Sequence, residues 1–226
     1  MRAEKGIGEE EAVSQVKTFS YPSTEKCETA RANKKGCPVF YVADNPGTAL
    51  KEAGCEKGDI VYVSKWQVTS AYKARFFLFF DHPLPPQHNW EKVRAQQDKQ
   101  FNQSLGDTPE EIKEKWHQLH KAYCKAFLGD DYQISSLIGH EMLHASKKPE
   151  IDIVVYPSTI EGDHSCNLAI HPDFADKNLQ MIKVWKLKVT DENFDQKPEL
   201  MKTGDIKDEE ISWHKPTAQE QKEMPV

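Results

Sequence analysis

Two short polar segments carry the residue types that could do chemistry. The first runs from Arg31-Ala32-Asn33 through Tyr41 to Glu52. The second holds Tyr156-Pro157-Ser158, then Asn167 and His171-Pro172-Asp173-Phe174. A carboxylate such as Glu52 can stabilise developing positive charge or orient an attacking water. The planar fork of Arg31 suits paired, charge-assisted hydrogen bonds to a phosphate, which lysine cannot copy. Tyr41 offers a flat face for a ring and a hydroxyl for a polar edge. Ser158 can donate or accept, and Asn167 can hold the loop that presents it. No G-x-S-x-G elbow accompanies Ser158, which argues against a serine nucleophile. Taken singly, these residues read as a surface ion pair, a core aromatic, a solvated helix residue and a turn serine. Their order along the chain is what points to a site.

A second pattern competes. His140-Glu141-Met142-Leu143-His144 is an H-E-x-x-H match. On a helix it would put both histidines on one face as zinc ligands, with Glu141 as the base of a zinc-dependent hydrolase. Lys147 stands where the extended motif needs glycine. A third ligand would have to come from the loop after Ser158, which the first reading already uses. The apolar stripe expected here is Ile134, Leu137, Ile138 and Met142, which leaves the motif on the solvent side.

The elements that must position these residues are readable in part. Residues 1–30 are polar and weakly patterned. Pro38 to Val42 reads as a strand, and Asn45-Pro46 caps and opens a short helix that Gly54 ends. Strands are expected over Asp59–Val68 and Arg75–Phe80, the latter apolar on both faces. From about 82 to 150 the sequence changes to helical periods, with Thr108-Pro109-Glu110-Glu111 as a capping box. Ile112, Trp116, Leu119, Tyr123 and Phe127 follow at helical spacing. Strand patterns resume at Ile151–Tyr156, Asn167–Ile170 and Met181–Val189, the last read as an edge. This predicts an α+β fold: a single domain over 1–199 with a helical insertion at 82–150, and a polar, loosely held tail over 200–226.

Composition limits the function classes. The chain has 226 residues, enough for one domain with a real core, and 38% hydrophobic residues, which fits a globular protein. A net charge of −6 with no basic stripe argues against nucleic acid as partner. No apolar run is long enough for a bilayer, and the first residues lack the apolar core of a secretory signal. Five scattered cysteines without a C-x-x-C pair fit a reducing, cytoplasmic setting.

Arg31-x-Asn33-x-x-Gly36, Val39-Phe40-Tyr41 and Thr48-Ala49-Leu50-Lys51-Glu52 resemble the N-terminal half of the RES domain. Tyr156-Pro157-Ser158 and Asn167-Leu168-Ala169-Ile170-His171-Pro172-Asp173-Phe174 resemble its C-terminal half, in the right order. That family is named for an arginine, a glutamate and a serine. The resemblance implies an ADP-ribosyltransferase-like core of mixed or antiparallel sheets. It also implies NAD as substrate, cleaved at the nicotinamide–ribose bond by water or phosphate, or by transfer of ADP-ribose. Many members are the toxin of a bacterial toxin–antitoxin pair, so an antitoxin protein is an implied partner; a homo-oligomer is left open by the sequence. On the matching positions Glu52, Ser158 and Tyr41 are the implied catalytic residues. Arg31, Asn33, Tyr41 and Asn167 are the implied NAD-binding residues, and no metal is implied. The family also carries an arginine well upstream of Arg31, and Arg2 alone can supply it here. A nucleotide-binding domain without catalysis is the alternative.

Overall fold

The computed structural model describes residues 1–7, 12–69, 71–145, 151–191 and 196–224. Expectations for residues 146–150 and 225–226 lie outside the described residues. The fold is α+β, with two sheets and a block of helices. The five-stranded sheet has the order β1 (Arg2–Lys5), β3 (Ile60–Val68), β7 (Leu179–Lys188), β8 (Glu199–Lys207), β9 (Glu210–His214), all antiparallel. The four-stranded sheet has the order β2 (Phe40–Ala43), β6 (Gly162–Ile170), β5 (Ile153–Ser158), β4 (Phe76–Leu78). Its β4–β5 pair is parallel. A parallel pair needs a long crossover, and the helical block supplies it: α2 (Glu91–Leu105), α3 (Glu110–Leu128) and α4 (Tyr132–His144).

The short helix α1 (Pro46–Glu52) forms as its sequence dictates. Asn45 Oδ1 accepts from the Thr48 amide at 2.8 Å, and Pro46 occupies the first turn. Gly54 follows at φ +60°, a conformation that costs glycine little. The apolar run forms a shorter strand than expected: β4 has Phe76 and Phe77 half-buried and Leu78 covered, and Phe79 and Phe80 are fully covered just beyond it. Phe40, Leu78, Ile153, Val155 and Ile170 then form one core with Phe174 of α5 (Pro172–Asn178).

Several expectations change. Residues 1–30 are not a featureless lead-in, because β1 pairs with β3 and Val13, Val16 and Phe19 are buried beneath the larger sheet. Residues 200–224 are not a loose tail. β8 and β9 complete the larger sheet, which moves β7 from an edge to an interior position. Their polar sequence misled because one face of these strands carries the apolar contacts: Gly204 and Ile211 are buried there, with Ile206 and Trp213 packed against the core, while Asp205 and Ser212 on the other face are exposed. The Thr108 capping box does not form, since α3 begins at Glu110 with Pro109 extended before it.

The stripe of α4 is also rotated from expectation. Ile134 and Leu137 are exposed, while Ser135, Ser136, Gly139 and Leu143 face inward. Close approach decides this. A Cβ on Gly139 would stand 2.4 Å from Ala32 Cα, so only glycine lets α4 sit on the Arg31–Asn33 turn. No helix among the described residues is long and apolar enough to cross a membrane. All five cysteines are free, and four are buried, as expected of small apolar side chains.

Candidate active site

The two polar segments meet. α1 ends at Glu52, β5 ends at Ser158, and Asn167 lies opposite Tyr156 in the β5–β6 register. Glu52 Oε1 accepts from Ser158 Oγ at 2.7 Å and from Asn167 Nδ2 at 2.7 Å. Ser158 is buried, and its oxygen also accepts the Ile160 and Glu161 amides at 3.2 and 3.1 Å. Its hydroxyl is thus committed to aiming Glu52 and shaping the turn, not to reaching a ligand. Beside it, Glu161 pairs with Lys51 and accepts from Thr48 Oγ1 at 3.1 Å, and Ser165 Oγ lies 2.7 Å from the same Thr48 oxygen. The Lys51 hydrogen bond holds the Glu161 carboxyl below its usual range. This lattice locks α1 to the β5–β6 turn and so fixes the direction of Glu52.

A cleft opens over the carboxylate in two lobes. The larger, of about 490 Å³, is bordered by Arg2, Lys5, Tyr41 and Asn167. The smaller, of about 150 Å³, is bordered by Arg31, Tyr132, Tyr156 and Thr159. Glu52 lines both, together with Tyr41, Tyr156 and Asn167. Arg2 therefore stands in the same cleft as Glu52, although 50 residues of chain separate them.

Other sequence candidates have different surroundings from those expected. Arg31 is nearly covered, and its Nη1 donates to the Phe127 and Gly129 carbonyls at 2.8 and 3.0 Å. Its guanidinium lies 5.1 Å from the Tyr132 ring centre and 6.0 Å from that of Tyr156. It thus ties the end of α3 and the start of α4 to the cleft. The Tyr41 hydroxyl accepts from the Ala32 amide and donates to Asn33 Oδ1, each at 2.8 Å. Burial pushes its ionisation above the ordinary range, so Tyr41 gives the cleft a wall and braces the turn. Asn33 is buried and donates to the Glu28 and Lys34 carbonyls, which makes it the knot of that turn.

The RES domain model matches residues 7–190. The chain belongs to the RES family. No curated protein and no solved structure matches it. Arg31 and Glu52 border the smaller lobe together with Tyr41 and Asn167, and Ser158 reaches it through its bond to Glu52. The match ends before β8 and β9, which nonetheless finish the larger sheet.

Sequence reasoning passed over Tyr132, Tyr156 and Thr159 as site residues. Tyr156 carried a signal, since it opens the Tyr-Pro-Ser step. Tyr132 carried none, because it belongs to the insertion and only the fold of α4 brings it to Arg31. The H-E-x-x-H residues build no catalytic group with the cleft. His140 and His144 stack at 5.5 Å, and His144 lies 5.0 Å from the His171 ring, while Glu141 points to solvent. His171 caps α5, accepting from the Asp173 amide at 3.1 Å. Burial, with His171 and His140 beside it, pushes His144 down to about 4. Among the described residues only Asp205, His214 and Glu220 gather with ligand-like spacing, and Lys183 already bridges the two carboxylates there.

Proposed function

We propose that this RES protein cleaves the nicotinamide–ribose bond of NAD. The observation that carries the reading is the position of Glu52, a carboxylate aimed by two neutral donors in the wall common to a large and a small aromatic lobe. NAD would lay its adenosine diphosphate portion in the larger lobe and its nicotinamide against Tyr156 and Tyr132 in the smaller. The reacting ribose carbon then lies beside Glu52. As the C1′–N bond breaks, its electron pair goes to the pyridinium nitrogen and nicotinamide leaves neutral. Positive charge builds on the sugar, and the carboxylate stabilises it. An acceptor oxygen from water or phosphate closes the new C1′–O bond and loses its proton; transfer to a protein acceptor follows the same path. Loss of cellular NAD would make the protein a toxin, with an antitoxin protein as its natural partner.

A second reading is binding without turnover, in a cleft whose aromatic walls, Tyr41, Tyr132 and Tyr156, can hold a nucleotide whether or not a bond breaks. Incubating the purified chain with NAD, with and without phosphate, and following free nicotinamide separates the two. Release in either condition supports cleavage. NAD binding with no release in both supports the second reading and sinks the first.

A further inference from the structure

The pairings of Arg2, Lys5 and Arg31, which border the cleft, are not equivalent. Arg31 points Nη1 at two backbone carbonyls, and Lys5 donates to the Gly54 carbonyl at 2.6 Å and faces Asp59 at 3.5 Å. Arg2 instead donates to the carboxylate of Glu4. Both residues line the larger lobe, two positions apart on β1 and so on one face of the strand. The remaining contacts of Arg2 are weak: its guanidinium lies 5.5 Å from the Phe40 ring centre, and Nη1 reaches the Tyr41 carbonyl at 3.5 Å. The other acids bordering this lobe do not touch its cations. Glu52 accepts from Ser158 and Asn167, and Glu28 pairs with Lys35. Glu4 is thus the one carboxylate of the lobe that sits on one of its cations, among the described residues.

A carboxylate and a phosphate compete for the same fork of a guanidinium, with similar oxygen spacing and the same charge-assisted bonds. We infer that Arg2 and Glu4 form a phosphate-binding site in the larger lobe that is occupied by its own carboxylate, which an incoming diphosphate must displace. The inference rests on reading the cleft as a nucleotide site. Glu4 lowers affinity twice, because the ion pair must open and because its displaced charge stays near the diphosphate. It therefore sets how much phosphate-bearing ligand is needed to fill the cleft. The pair is part-exposed, so its effect is modest and falls with salt.

The test titrates ADP-ribose and, separately, inorganic pyrophosphate into the full chain and into Glu4→Gln, Arg2→Gln and the double variant. Glu4→Gln keeps shape and strand pairing while removing the charge, and should bind both probes about two- to fivefold tighter at low salt. Glu4→Ala should move affinity in the same direction. The gain should disappear in the double variant and shrink in high salt. Unchanged or weaker binding by both Glu4 variants overturns the inference, and so does a gain that persists without Arg2. The outcome is separable from that of the cleavage reading. A gain for pyrophosphate with no nicotinamide release keeps this site and removes cleavage. Nicotinamide release with no gain does the reverse.

Discussion

The Ser158 hydroxyl donates to Glu52 Oε1 across 2.7 Å, joining residues 106 positions apart. Glu52 and Ser158 are therefore one unit, and the serine serves the glutamate. Its remaining bonds go to the Ile160 and Glu161 amides, so the unit also includes the turn that closes the cleft.

Glu52→Gln keeps the size and hydrogen-bonding shape of the side chain and removes the charge. Nicotinamide release should fall by about 100-fold or more, the order seen for loss of one preorganised electrostatic group. NAD affinity should change little, because the charge acts on the transition state. Parallel turnover assays and calorimetric titration with NAD check this; equal losses in both would remove Glu52 from the chemical step.

Ser158→Ala leaves two backbone amides without their acceptor and frees Glu52 to turn. It should cost about 1–3 kcal/mol in urea unfolding and lower kcat more than it raises KM. Mass spectrometry during turnover should find no sugar attached to Ser158. A covalent adduct there would contradict the positioning role.

Arg31→Lys cannot satisfy both the Phe127 and Gly129 carbonyls while stacking on Tyr132 and Tyr156. Amide exchange at the end of α3 and the start of α4 should therefore speed up, by at least as much as NAD binding weakens. Unaltered exchange there, with weakened NAD binding, would instead make Arg31 a direct ligand residue.

Gly139→Ala must push α4 off the Arg31–Asn33 turn, since the added Cβ meets Ala32 Cα at 2.4 Å and its carbonyl oxygen at 2.7 Å. The expected cost is about 2–4 kcal/mol, in the range of overpacked or strained sites. Chemical denaturation measures it, and a loss under about 0.5 kcal/mol, the scatter of ordinary surface changes, would mean the contact relaxes freely.

His144 stays neutral in the folded chain down to about pH 4, whereas an exposed histidine gains its proton near 6.5. Between those values the unfolded chain binds the extra proton, so stability is full above about 6.5 and falls as pH drops toward 4. His144→Gln should flatten the stability curve within that window. An unaltered slope would assign the pH dependence to other groups.

Much of the site's first layer was legible because it rests on local rules. Asn45, Pro46 and Gly54 fix α1, and α1 fixes where Glu52 leaves the chain. Alternating and apolar runs gave β3, β5 and β6, and the order of Arg31, Tyr41, Glu52 and Ser158 pointed to one family. Such signals act through hydrogen bonds and burial patterns spanning a few residues, so sequence alone carries them.

The rest depended on contacts between distant segments. β8 and β9 were hidden because half-covered strands are written in polar residues, and only pairing with β7 shows which side is buried. The inward face of α4 was decided by the absence of a Cβ at Gly139 against Ala32, which no helical period encodes. The division between Arg31, tied to the insertion, and Arg2, tied to Glu4, arises from which carbonyls and carboxylates the fold carries to each guanidinium. The sequence determined the family, the α+β class and the residues that gather around Glu52. Only the tertiary structure decided which of them face the cleft and which hold the others, because hydrogen bonds and close packing are satisfied in three dimensions.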